Sequence, residues 1–254
     1  MHKILFFVVI TFLLLPMSYS YGFSEKGQDC SKCHTLTKDE ASTLLKDMAP
    51  DLKILDVRTS PIKGLWEAVI EANGRKGVSY IDFSKKYLIS GGIISIKDKK
   101  NLTQERLTEI NRVDVSKIPL DDAIVMGDRD AKHLVIVFSD PDCQFCAKLH
   151  QEMKKVIEKR KDIAFYIKMF PLKIHPEAYE KSKAIVCEKS LSLLEDAFDK
   201  KQLPKPKCET SAIDENLKLG EKLGISGTPA LIMPDGRVIS GFKEADAIIE
   251  LVGN

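Results

Sequence analysis

Cys143 and Cys146 stand two residues apart in "PDCQFCAKLHQEM", directly behind the apolar run Leu134 to Phe138 and ahead of an amphipathic segment. Such a pair can be a redox dithiol, half of a metal site or a structural staple. The strand-to-helix context favours redox chemistry, with a structural disulfide as the plainer alternative. Unpaired N–H groups and the macrodipole at a helix start stabilise a thiolate. Cys143 is therefore the predicted attacking nucleophile, and Cys146, one turn later and more shielded, the resolving thiol. His150 follows on the same helix face and is expected to be exposed and incidental.

A second pair lies in "GQDCSKCHT", where His34 directly follows Cys33. Cys30, Cys33 and His34 have the spacing of a covalent c-type haem site: two thioether bonds and a histidine for the iron. A second dithiol or disulfide, and weak metal binding, remain open beside it. Zinc would lack a fourth local ligand. No sixth haem ligand is apparent; Met48, the nearest methionine, equally fits an apolar helix stripe.

The elements that must position these residues follow from periodicity. Thr37 with Glu40 three residues on is a capping-box signal, and Leu44, Leu45 and Met48 recur at helical spacing. From 53 to 96 short β-type runs follow, "KILDVR", "GLWEAVIEA", "GVSYIDF" and "YLISGGIISI", with Asn73-Gly74 as a hairpin turn. Residues 97–120 are polar with a thin stripe of Leu102, Leu107 and Ile110, and are read as a partly helical linker. The strand before Cys143, the helix after it (Leu149, Met153, Val156, Ile157) and the run Ile163 to Phe170 form a βαβ unit with parallel pairing. Residues 175–223 are helical and polar, "GTPALIMPDGRVISG" is a hairpin, and a last helix covers Glu244 to Val252.

The chain has 254 residues, 44% hydrophobic and 30% charged, with 39 basic against 37 acidic side chains. That balance gives no electrostatic case for nucleic acid or strong membrane attraction. Lys3, the apolar run Ile4 to Leu15, Pro16 and Ser18-Tyr19-Ser20 have the order of a secretory signal, cleaved near Ser20. The run is well short of the ~20 residues that span a bilayer, so no stable membrane anchor is expected. Six cysteines then suit an oxidising compartment.

"FSDPDCQFCAKLH" together with Pro229 of "GTPA" resembles the thioredoxin-fold domain of the DsbC/DsbG family of periplasmic disulfide isomerases, and the resemblance extends from about Thr37 to the C-terminus. It implies an α+β chain: a small antiparallel-sheet plus helix dimerisation domain (37–96), a helical linker (97–120), and a thioredoxin fold (121–254) with a helical insertion at about 175–223. A signal peptide (1–20) and the CxxCH segment (21–36) precede these. The resemblance implies a V-shaped homodimer with an apolar cleft, and a cis Pro229 lying against the active disulfide. Thr228 would then offer its backbone to an extended substrate segment. It also implies a non-catalytic disulfide between Cys187 and Cys208, which would close a loop of about 20 residues and contribute about 3 kcal/mol. Gln144-Phe145 replaces the family's common Gly-Tyr, so the reduction potential does not carry over.

The expected function is isomerisation or reduction of non-native disulfides in misoxidised exported proteins, with a membrane or periplasmic thiol reductant as partner and no cofactor needed for exchange. A chaperone-like holdase and a haem-linked thiol reductase are the alternatives.

Overall fold

The structure, a computed structural model, describes residues 34–48 and 51–253. The signal run and Cys30 and Cys33 lie outside the described residues. Helix α1 (Lys38–Leu45) starts at Thr37, whose side chain accepts from the Glu40 N–H (3.2 Å) while the Glu40 carboxylate accepts from the Thr37 N–H (3.0 Å). Leu36 before the cap and Ala41 one turn in are both buried in the same cluster, a hydrophobic staple that sets the entry angle. The buried stripe is therefore Ala41 and Leu45. Leu44 (40% exposed) and Met48 (68%) face out, against the sequence expectation, because the staple turns the helix by its first residues.

A four-stranded antiparallel sheet follows: β1 (Lys53–Thr59), β2 (Leu65–Ala72), β3 (Arg75–Asp82) and β4 (Leu88–Ile89), paired in that order. Asn73 and Gly74 both have positive φ (51° and 74°), which the two-residue β2–β3 turn needs. Alternation sorts β2 between two faces. Trp66, Ala68 and Ile70 join Leu45 in one cluster, while Glu67 turns the other way. The run "YLISGGIISI" does not continue as one strand. It breaks at Gly91-Gly92, and β5 (Ile94–Ser95) pairs only with β6 (Lys100–Asn101), leaving Ile94 and Ile96 exposed (63% and 92%).

Helix α2 (Leu102–Ile110) is the helical part of the polar segment, and it is packed rather than free. Tyr80 and Thr103 share a buried hydroxyl hydrogen bond, Arg106 pairs with Glu67 (3.1 Å) and Asp56 (2.7 Å), and Lys76 donates to the Ile110 carbonyl (2.9 Å). Beyond Asn111 the chain docks elsewhere. The Val113 N–H donates to the Gly236 carbonyl (2.8 Å), and Val113, Val115, Ile118 and Leu120 pack on one face of the second sheet.

That sheet has the order β11-β10-β8-β9-β7, from β7 (Ile124–Met126), β8 (His133–Ser139), β9 (Ile163–Met169), β10 (Ala230–Ile232) and β11 (Val238–Ser240). β8 and β9 are parallel, joined through α3 (Gln144–Lys159), and the other pairings are antiparallel. Edge strand β7 has no counterpart in the sequence reading. Val135 and Val137 of β8 enter one core, Ile136 and Phe138 the other, which is why this strand reads as an unbroken apolar run. Helices α4 (Ala178–Glu188), α5 (Leu191–Phe198) and α6 (Ala212–Lys222) form the insertion, and α7 (Ala245–Val252) ends the chain against α3. The α+β class expected from the sequence, a thioredoxin fold behind a small sheet and helix, is the one observed. Among the described residues no helix is long and apolar enough to cross a membrane.

Candidate active site

Cys143 occupies the N-cap of α3 with extended backbone (φ −81°, ψ 118°), and no side chain caps the helix there. Its sulfur thus takes the place where a capping oxygen would meet the helix N–H groups. Both Cys143 and Cys146 are free thiols and both are buried (7% and 2% exposed). Cys143 Sγ donates to the Thr228 carbonyl at 3.6 Å, and Cys146 Sγ accepts from the Asp140 N–H at 3.5 Å.

The two thiols are driven apart. A hydrogen bond from Cys146 and the backbone N–H groups of the helix start pull the Cys143 thiol down to about 5, against the opposing effect of burial. Burial, reinforced by the neighbouring Cys143, pushes the Cys146 thiol above its ordinary range. At neutral pH one sulfur is a thiolate and the other keeps its proton, which is the division of labour that nucleophilic attack and later resolution require.

Thr228 and Pro229 lie immediately before β10, and their peptide bond is cis. Ala230 pairs with Phe138 of β8, so the bond is fixed beside the strand that leads to Cys143. Thr228 Oγ1 is buried without a hydrogen-bond partner among the described residues. Phe145, between the cysteines, is 49% exposed, with Lys148 Nζ 5.6 Å from its ring centre. An apolar side chain thus borders the nucleophile.

Cys187 and Cys208 are joined by a disulfide (S–S 2.06 Å) between the end of α4 and the segment before α6. His34 is exposed, and among the described residues no group of three or more histidine, cysteine or acidic side chains is arranged to hold a metal. Cys30 and Cys33 lie outside the described residues, so their geometry with His34 is not on view.

His150 differs from expectation. It is 2% exposed, bonded to Glu195 (3.0 Å) and packed 5.3 Å from the Phe198 ring, and burial lowers its pKa. The insertion helix α5 covers a helix face that the local sequence leaves open. Sequence reasoning also missed Asp140, 0% exposed two residues before Asp142, and His175 on the loop after β9, bonded to it at 2.8 Å. Asp140 carried a usable signal, an acidic residue closing an apolar strand just before the cysteines. His175 carried none.

Comparison with known proteins agrees with this geometry. Residues 120–254 match the thioredoxin-like domain family, and residues 34–104 match the disulfide bond isomerase protein N-terminal domain. The thiol:disulfide interchange protein DsbC of Dickeya dadantii is 30% identical over 195 residues, 76% of this chain and 77% of that protein. The chain belongs to the DsbC family of thiol:disulfide interchange proteins. A probable DsbC from Bordetella avium is 29% identical over 75% of this chain, which spans 66% of that protein's length. A disulfide interchange protein from Neisseria gonorrhoeae, known as a crystal structure, is 31% identical, covering 54% of this chain and 100% of its own, with a TM-score of 0.44. The two domain matches together take in both sheets, so the thiol pair is read with the N-terminal sheet as part of the same protein.

Proposed function

We propose that this chain is an exported thiol:disulfide interchange enzyme that isomerises or reduces non-native disulfides through Cys143. The observation that carries the reading is the geometry of the free dithiol: Cys143 at the N-cap of α3 and Cys146 buried one turn behind it. The Cys143 thiolate attacks one sulfur of a substrate disulfide; the Cys143–substrate bond forms, the substrate S–S bond breaks, and its electron pair leaves on the second substrate sulfur. If a substrate thiolate then attacks the mixed disulfide, Cys143 is regenerated and the substrate is isomerised with no net redox change. If Cys146 gives up its proton and attacks Cys143 Sγ first, the substrate leaves reduced by two electrons and the enzyme carries the Cys143–Cys146 disulfide. A dithiol reductant must then restore it.

Thr228 and Pro229 form the substrate-docking edge in this reading: the Thr228 carbonyl lies 3.6 Å from Cys143 Sγ, and an extended peptide would pair with the same backbone. Cys187–Cys208 is structural, holding the insertion together. The N-terminal domain, with Ile94 and Ile96 exposed on the β5–β6 hairpin beside its sheet, is read as a homodimer contact that leaves two dithiols facing one substrate. The reading of Cys30, Cys33 and His34 as a covalent haem site rests on the motif alone, and a Soret band in the exported protein is its test.

The deciding experiment is mixed-disulfide trapping with a scrambled disulfide protein. Cys146→Ser should accumulate the enzyme–substrate disulfide and Cys143→Ser should not. Equal trapping by both variants would overturn the assignment of roles.

A further inference from the structure

Asp140 is wholly buried and all of its polar groups are engaged. Its N–H points to Cys146 Sγ (3.5 Å), and its carbonyl accepts from the Cys143 N–H (3.2 Å). Carboxylate Oδ1 accepts from the Asp142 N–H (2.7 Å); Oδ2 accepts from the Leu172 N–H (2.7 Å) and faces His175 Nδ1 (2.8 Å). One residue therefore fixes both cysteines through its main chain and the loop after β9 through its side chain.

Two main-chain N–H groups satisfy hydrogen bonds but bring no full charge, and a buried carboxylate is costly without one. His175 supplies it. The bond to Asp140 raises the His175 pKa above its ordinary value, and the charges of Cys143 and Asp142 act in the same direction. Asp142 is itself paired with Lys181 (2.7 Å), which also pairs with Glu177 (3.0 Å). His175 itself is a quarter exposed, so its proton can exchange with solvent.

We propose that His175 is a positioning residue for the dithiol reaction: held by Asp140, its imidazolium fixes the turn that carries Cys143 and supplies positive charge that favours the Cys143 thiolate. The inference rests on the reading of Cys143 as the nucleophile. Coupling of this kind is reciprocal, so the thiolate must favour the imidazolium to the same extent.

The test uses His175→Gln in the full mature chain, because glutamine keeps an N–H for Asp140 Oδ2 but cannot carry charge. The ultraviolet thiolate titration of Cys143 should move up by about one pH unit, a tenfold loss of thiolate at a fixed pH below the midpoint. The equilibrium with glutathione should shift toward the Cys143–Cys146 disulfide by a similar factor. A second measurement needs no His175 variant: the His175 imidazole, followed by NMR, should titrate at higher pH in the reduced than in the oxidised wild-type protein. An unmoved thiolate titration in folded His175→Gln, or equal His175 titration in both redox states, overturns the proposal. A wild-type Cys143 that titrates as an ordinary thiol overturns the functional reading as well.

Discussion

A central strand of each large sheet, β2 and β8, buries residues on both faces, yet only one sheet carries reactive chemistry. In the N-terminal half the buried Glu67 of β2 and Thr103 of α2 each hold a neighbour: Glu67 pairs with Arg58 (2.7 Å) and Arg106, and Thr103 bonds Tyr80. The charges there are matched and nothing is left poised. In the thioredoxin sheet, β8 ends at a helix start whose N–H groups meet sulfur, and the next residues are pinned by groups from distant loops. The difference teaches that burial alone does not make a site. Reactivity arises where a buried group is stabilised in one protonation state beside a twin held in the other.

The largest effect that tests this contrast is loss of the nucleophile. Cys143→Ser should abolish exchange with a disulfide substrate in a thiol-release assay, while Arg106→Ala, which disturbs only the N-terminal sheet, should leave the exchange rate of Cys143 unchanged. Next is removal of residues 21–110. The remaining chain should still exchange thiols in solution but lose most isomerase activity and sediment as a monomer, because the sheet proposed to pair protomers is gone. A full mature chain that sediments as a monomer at micromolar concentration with isomerase activity intact would contradict it.

A smaller effect follows from linkage. The folded Cys143 pKa of about 5 lies below the ordinary thiol range, so its stabilisation is present above the unfolded pKa and lost as pH falls through the folded one. The reduced protein should therefore gain stability relative to reduced Cys143→Ser as pH rises from about 5 to about 8 in denaturant titrations. The raised Cys146 pKa does not enter this window, since that thiol is protonated in both states there. The smallest expected effects are mechanical. Gly236 has φ +85° and an added Cβ would meet the Val113 carbonyl at 2.2 Å, so Gly236→Ala should cost about 1–3 kcal/mol and loosen the segment that joins the sheets. Arg106→Ala should cost the N-terminal half about 1–3 kcal/mol by thinning the pairing of Glu67.

Much of the fold was legible because its signals are local. The capping box at Thr37, the Asn73-Gly74 turn, the apolar run of β8 and the cysteines at its end each act over a few residues, where spacing and backbone preference decide. The failures share the opposite property. Leu44 and Met48 fit a helical stripe as well as Ala41 does, and only docking on Trp66 and its neighbours chose between them. His150 was covered by α5, forty-odd residues on, and Gly91-Gly92 broke a strand whose composition still read as apolar.

By itself the sequence determined most of the elements, the order of the two large sheets and the candidate thiol pair, since periodicity, capping and helix polarity are properties of neighbouring residues. Tertiary structure decided how those thiols differ. The Thr228 carbonyl comes to Cys143 from 85 residues away and His175 comes to Asp140 from 35, while the burial that keeps the Cys146 proton is the work of the whole packed domain. Electrostatic environment depends on distance in space, and no pattern along the chain encodes which distant groups will share that space.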